Sequence, residues 1–194
     1  MNHLINKIES YPFDKLRRLL SSVNPNKKNN ELINLSIGEP KKRASKKVLS
    51  ILASNKELFS QYPPLGSMNI LVSAYKSYLS KRFNIKEVAN DNILNLGGTR
   101  EGTFSVIQSL FNKKIKSKKP YVLMPNPFYQ IYGGATLLAG GISKQINLNE
   151  DNGFSLDLNS INENIWKKCQ IFVACSPSNP VSYTHLTLPT STHG

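Results

Sequence analysis

A chain of 194 residues is long enough for a sizeable domain, and a hydrophobic share of 39% supplies a core. The formal net charge of +13 raises the question of an anionic partner, yet the lysines cluster at segment ends and loops (27–28, 41–47, 113–119, 167–168) rather than along one aromatic-laced helical face. That pattern reads as solvated surface: it argues against nucleic acid and leaves only a weak pull on small anionic substrates. No apolar run approaches the ~20 residues of a membrane span, and the opening MNHLINKIES lacks a signal-peptide core, so the expectation is a cytoplasmic protein with no membrane partner.

In chain order, residues 12–23 place Leu16, Leu19, Leu20 and Val23 on one helical stripe, with Pro12 near the start and Pro25 beyond the end. This predicts an amphipathic N-terminal helix. A polar linker at 24–30 leads to alternating residues 32–37 and then Gly38-Glu39-Pro40, a short strand ending in a glycine turn. Gly38 either simply turns the chain or offers a backbone group to a ligand. Residues 47–53 predict a short helix, and Tyr62-Pro63-Pro64-Leu65-Gly66 an irregular loop, where Tyr62 is either an exposed side chain or a hydroxyl donor to phosphate. Ser67 then caps a helix whose pairs Ile70/Leu71, Ala74/Tyr75 and Tyr78/Leu79 recur at a four-residue step, the mark of a core-packing face ending near Phe83-Asn84.

Residues 92–96 predict a strand, followed by Gly97-Gly98-Thr99-Arg100-Glu101 and a helix over 101–111 with Phe104, Ile107, Leu110 and Phe111 inward. Glycines before a helix start let a phosphate approach the first-turn N–H groups, and the Thr99 hydroxyl adds a donor. The competing reading is a plain glycine turn capped by Thr99. The pattern is neither Gly-x-Gly-x-x-Gly nor a Walker A loop, so dinucleotide and nucleoside-triphosphate readings lose support.

Residues 121–124 predict a strand that runs into Pro125-Asn126-Pro127, where two prolines are expected to bar ladder hydrogen bonds and stiffen the turn. A helix follows and closes on Gly140-Gly141. Phe128 and Tyr129 thereby arrive at the carboxyl edge of a strand, either as packing residues or as a ring on which a planar ligand stacks. Next come a strand at 142–148, a turn at 151–153, a loose helical stretch at 156–166 and an apolar strand at 170–175 that ends in Ser176-Pro177-Ser178-Asn179-Pro180. Strands alternating with helices predict an α/β fold, a mostly parallel sheet flanked by helices. The turns at Gly98, Pro125 and Ser176 each follow a predicted strand and can converge on one sheet edge. Cys169 and Cys175 lie ~20 Å apart on an extended strand, too far for a disulfide, and read as buried thiols.

Taken together, Leu35-Ser36-Ile37-Gly38-Glu39-Pro40, Gly98-Thr99-Arg100-Glu101, the run PNPFYQIY from Pro125 to Tyr132 with Leu137-Leu138-Ala139-Gly140, and Cys175-Ser176-Pro177-Ser178-Asn179-Pro180 resemble the class I aminotransferases of the fold-type I pyridoxal-phosphate enzymes. Within that class they are most similar to the N-succinyldiaminopimelate aminotransferases of bacterial lysine and cell-wall precursor synthesis. The resemblance covers residues from about 10 to 180 and implies pyridoxal 5′-phosphate as cofactor. It implies Gly98, Thr99 and Arg100 at the cofactor phosphate, Tyr129 stacked on the pyridine ring, and Asn179 hydrogen-bonded to the ring's phenolic oxygen. It also implies Tyr62 reaching the phosphate of a neighbouring subunit, and so a homodimer, with Gly38 beside the substrate carboxylate. The implied reaction moves the amino group of glutamate to N-succinyl-2-amino-6-oxopimelate.

The sequence also departs from that pattern. The family's Schiff-base lysine lies well after the Asn-Pro turn, whereas the last lysine here is Lys168, so no catalytic residue is assigned in this chain. After Asn179-Pro180 the run VSYTHLTLPTSTHG holds no lysine or acid and reads as a non-native tail; its His185 and His193 have no companion for a metal. The expected organisation is an N-terminal helix and arm at 1–40, a partial cofactor-binding large domain at 41–180 and the tail at 181–194. The expectation is the first half of an aminotransferase, inactive by itself.

Overall fold

The computed structural model describes residues 2–8, 10–23, 42–62, 69–112 and 120–179. The expected strand at 32–37, Gly38, the Ser67 cap, the lysine run at 113–119 and the tail lie outside these residues, as do both expected domain boundaries, at 40 and 180. The chain separates into two compact units, residues 10–95 and residues 1–9 with 96–194.

The first unit carries helices α1 (Pro12–Leu20), α2 (Lys46–Ser54) and α3 (Asn69–Phe83). Pro12 opens α1 in the first-turn position where its missing N–H costs nothing, and the Ser45 hydroxyl accepts the Val48 N–H at 3.3 Å to start α2. Helix α3 ends at Asn84, whose φ of 56° is the left-handed stop that Asn tolerates. The expected core-packing face of α3 is not covered: Val72 is buried, but Ile70 is 89% exposed and Leu71, Tyr75 and Tyr78 are about half exposed. The four-residue step built the helix without supplying a surface to cover it. The predicted strand at 92–96 is also absent. A 3-10 turn, Asn90–Asn92, runs into irregular chain with Leu94 and Leu96 exposed, because a short apolar stretch becomes a strand only where another strand pairs with it.

The second unit is built on strand β1 (Tyr121–Asn126), with β2 (Ile142–Asn147) on one side and β3 (Cys169–Phe172) on the other, all parallel. Helices α4 (Thr99–Leu110), α5 (Ile131–Ala139) and the single turn α6 (Glu163–Trp166) complete it. Residues Val122 to Met124 are fully buried, as expected of a central parallel strand. Val122 and Met124 pack with Ile107 and Phe111 of the α4 end and Tyr132, Ala135 and Ala139 of α5. Each large side chain buried there contributes about 1.5–3 kcal/mol.

The strand does not stop before the prolines, as the sequence suggested; it runs through Pro125. Odd-numbered residues of β1 face β3: the Tyr121 N–H donates to the Lys168 carbonyl at 2.7 Å, and the Leu123 carbonyl accepts the Val173 N–H at 2.8 Å. Pro125 faces the same side, one step past Phe172, the last paired residue of β3, so its missing N–H leaves no gap. The even side remains intact to the end, where the Asn126 carbonyl accepts the Leu148 N–H at 2.8 Å. Helix α5 closes as predicted on Gly140, at φ 81°, with the Gly141 N–H donating to the Thr136 carbonyl at 2.9 Å. The two cysteines are free thiols and half-buried; burial pushes the Cys169 thiol up from its ordinary value.

Candidate functional site

The carboxyl edge of β1 is where three loops meet. Asn126 ends the strand, its amide donating to the Asn147 side chain of β2 at 2.9 Å, and the next residues deliver Phe128 and Tyr129. The two rings then part ways. Phe128 lies against α5, so close to Gly133 that a Cβ there would come within 3.2 Å of it. Tyr129 turns to the first turn of α4: the Arg100 Nε donates to its hydroxyl at 2.9 Å, and the guanidinium carbon is 5.5 Å from its ring centre. Both aromatics also rest on the core cluster, so packing is part of each one's role.

Tyr132, three residues on, sits edge-to-face with Tyr129 at 5.9 Å between ring centres. It is buried, and its hydroxyl is pushed up to about 12 by that burial first, then by repulsion from Cys175, a hydrogen bond with Cys175 and repulsion from Tyr129. Cys175 in turn donates to the Pro177 carbonyl at 3.2 Å in the loop after β3. A connected series therefore runs from α4 through Tyr129 and Tyr132 to the third loop. Tyr132 and Cys175 stand within the sequence motifs, and Cys175 reads there as a buried thiol, but neither is given a role in the site from sequence. The signal available for Tyr132 was its i, i+3 spacing from Tyr129 at a helix start.

Gly98 is the residue that flanks α4, and Thr99 is already its first helical residue, so the alternative of a Thr99 cap is not what forms. The Gly98 carbonyl accepts the Gly102 N–H at 3.0 Å, and among the described residues no side chain caps the helix. Gly98 has an extended φ of 172°, and a Cβ added to it would meet nothing within 4 Å. Neither strain nor a neighbour demands glycine there, and what its small size preserves is open room in front of the first-turn N–H groups. The Glu101 carboxylate folds back toward Gly97, placing one negative charge at the same helix end.

Thr99 and Asn179 are exposed, and among the described residues neither side chain hydrogen-bonds to the Arg100–Tyr129–Tyr132 series. Asn179 follows the buried Ser178 at the end of the third loop. Tyr62 is 99% exposed and belongs to the other unit. Gly38 lies outside the described residues.

Residues 30–183 match the family model for aminotransferase class I and II. The chain belongs to that family. This aminotransferase chain is 29% identical over 184 residues to an LL-diaminopimelate aminotransferase of Natranaerobius thermophilus, covering 93% of itself and 45% of that relative. Similar figures hold for the LL-diaminopimelate aminotransferase of Syntrophobacter fumaroxidans, 28% identical, with 90% and 44% covered. Among solved structures it resembles an aminotransferase from Neisseria meningitidis with a TM-score of 0.82 and 35% identity, covering 93% of this chain and 45% of that one. The aminotransferase AspB of Helicobacter pylori gives 0.79 and 28%, with 91% and 45% covered. The chain thus spans under half the length of the relatives it matches.

Enzymes of this family use pyridoxal 5′-phosphate. The aminotransferase residues present suit the phosphate and ring ends of that group: open room before an uncapped helix start and an aromatic ring held beside it. Lys168, the last lysine of the sequence, has its Nζ 5.5 Å from the ring centre of Tyr121 at the opposite end of β1, roughly 16 Å of strand away from Asn126.

Proposed function

We propose that this chain forms the phosphate- and ring-holding part of a pyridoxal-phosphate aminotransferase acting in diaminopimelate and lysine synthesis. The observation that supports it is the Arg100–Tyr129 bond, which sets an aromatic ring beside the open start of α4 at the carboxyl edge of the central strand. When bound, the cofactor supplies an electron-withdrawing ring that eases removal of a proton from the substrate's α-carbon. The chain's own residues bind and orient. The N–H groups of Gly98, Thr99 and Arg100 with the Thr99 hydroxyl hold the phosphate, Tyr129 lies along the ring, and Asn179 donates to the ring's hydroxyl oxygen. Tyr62 serves the phosphate of a neighbouring subunit in a homodimer, and Gly38 borders the substrate carboxylate.

The amine that shuttles the proton belongs to sequence that these 194 residues do not contain, so the chain alone binds without turning over. For the whole enzyme the donor is glutamate and the acceptor an amino-oxopimelate. The sequence motifs favour the N-succinylated acceptor, and the names of the matched relatives favour the unmodified skeleton. Titrating the chain with pyridoxal 5′-phosphate tests the site: saturable induced circular dichroism in the cofactor band, competed by inorganic phosphate, is the expected result, and its absence removes the reading. Assaying an extended, lysine-bearing form with both acceptors then decides the substrate.

A further inference from the structure

The bond between Arg100 and Tyr129 links residues 29 apart in sequence, from the first turn of α4 to the loop after β1. Its geometry is end-on. A hydroxyl contact at 2.9 Å with the guanidinium carbon 5.5 Å from the ring centre puts the charge at the phenol's oxygen end, not flat over its face. The Tyr129 ring is thereby held at its tip by Arg100 and at its side by the Tyr132 ring at 5.9 Å, with its backbone anchored where Asn126 ends the buried strand. A side chain fixed at both ends loses little rotamer freedom when a planar ligand stacks on it.

We propose that Arg100 is a positioning residue: its side chain latches Tyr129 in the orientation that accepts the cofactor ring, and it leaves the phosphate to the backbone N–H groups of the α4 start. This rests on the cofactor reading above and assigns Arg100 a different task within it. A phosphate-directed arginine acts on any phosphate, whereas a latch acts only on a ligand that carries a ring, and only while the Tyr129 hydroxyl is present.

The test uses the full 194-residue chain with Arg100→Met, Tyr129→Phe and the double variant, each titrated with inorganic phosphate and with pyridoxal 5′-phosphate. Ring-carbon NMR of labelled tyrosine reports on Tyr129 without ligand, its signal assigned by its loss in Tyr129→Phe. The latch predicts that Arg100→Met displaces the Tyr129 signal in the ligand-free chain. Each single variant should weaken pyridoxal 5′-phosphate binding about tenfold, the order carried by one hydrogen bond to a charged group, and the double variant should be no weaker than either. Inorganic phosphate should bind all forms within about twofold. Losses that add in the double variant, or phosphate binding that collapses in Arg100→Met, overturn the latch while the cofactor reading stands. A wild-type chain that binds neither ligand overturns both. Tyr129→Phe keeps the ring and its packing, so it remains informative if Arg100→Met fails to fold.

Discussion

Gly141→Ala should destabilise the second unit by about 2 kcal/mol through a single steric conflict. The added methyl would stand 2.4 Å from Phe111 Cζ, 2.8 Å from Cε2 and 3.1 Å from Cε1, against the ~3.5–4 Å of an ordinary carbon contact. The ring therefore has to retreat by about 1 Å from the place it holds, 9% exposed, in the close-packed cluster beneath β1. Overpacking of this kind costs about 1–3 kcal/mol. The three clashing atoms are all absent from leucine. In a Phe111→Leu background the same Gly141→Ala change should then cost under about 0.5 kcal/mol, a coupling of more than 1 kcal/mol between the two sites. Urea unfolding followed by Trp166 fluorescence measures both, and at a slope of ~2 kcal/mol per molar the single variant moves the midpoint by ~1 M. An equal cost in both backgrounds would show that the conflict is not with the Phe111 ring.

Further outcomes follow from the site. Glu101→Gln removes the carboxylate at the start of α4, and phosphate affinity measured by calorimetry should rise about two- to fivefold, the worth of ~0.3–1 kcal/mol at a helix end; no change would mean the anion binds elsewhere. Tyr132, held at about 12 against an unfolded value near 10, adds stability that is fully present below pH ~10 and lost as pH rises through 12, by about 2–3 kcal/mol. Wild type should lose that much more than Tyr132→Phe across the interval in pH-dependent urea unfolding. Cys175→Ser should shrink the difference, and parallel curves would contradict the burial argument. With glutamate, an oxo acid and pyridoxal 5′-phosphate, the chain should produce amino acid no faster than the cofactor alone in a chromatographic assay; turnover that tracks protein concentration would refute the assignment of the amine to other sequence.

The strand and helix around Tyr129 were legible because each carries its own signal: β preference at 121–124, and Gly140 where a left-handed stop is required. Helices α1 and α3 were legible from their apolar periodicity, and α1 also from Pro12 at its start. What could not be read was pairing. Residues 92–96 are a short apolar stretch that could be a strand, yet among the described residues no strand pairs with them, and the apolar pairs of α3 form a helix without fixing what covers it. Pro125 was misjudged for the same reason, since its tolerance depends on where β3 stops. At the site, glycine before the helix and tyrosine after the strand were visible as residue types. Their connection through Arg100 was not, because a contact spanning 29 residues leaves no local trace.

The place of Lys168 bears on how any labelling of this chain should be interpreted. Aldehydes condense with surface amines unselectively, and this protein has many; Lys168 lies at the far rim of the sheet, over Tyr121. A reduced adduct mapped to it would report ordinary solution chemistry, and only the optical signature of a ring immobilised near Tyr129 would distinguish occupancy from decoration.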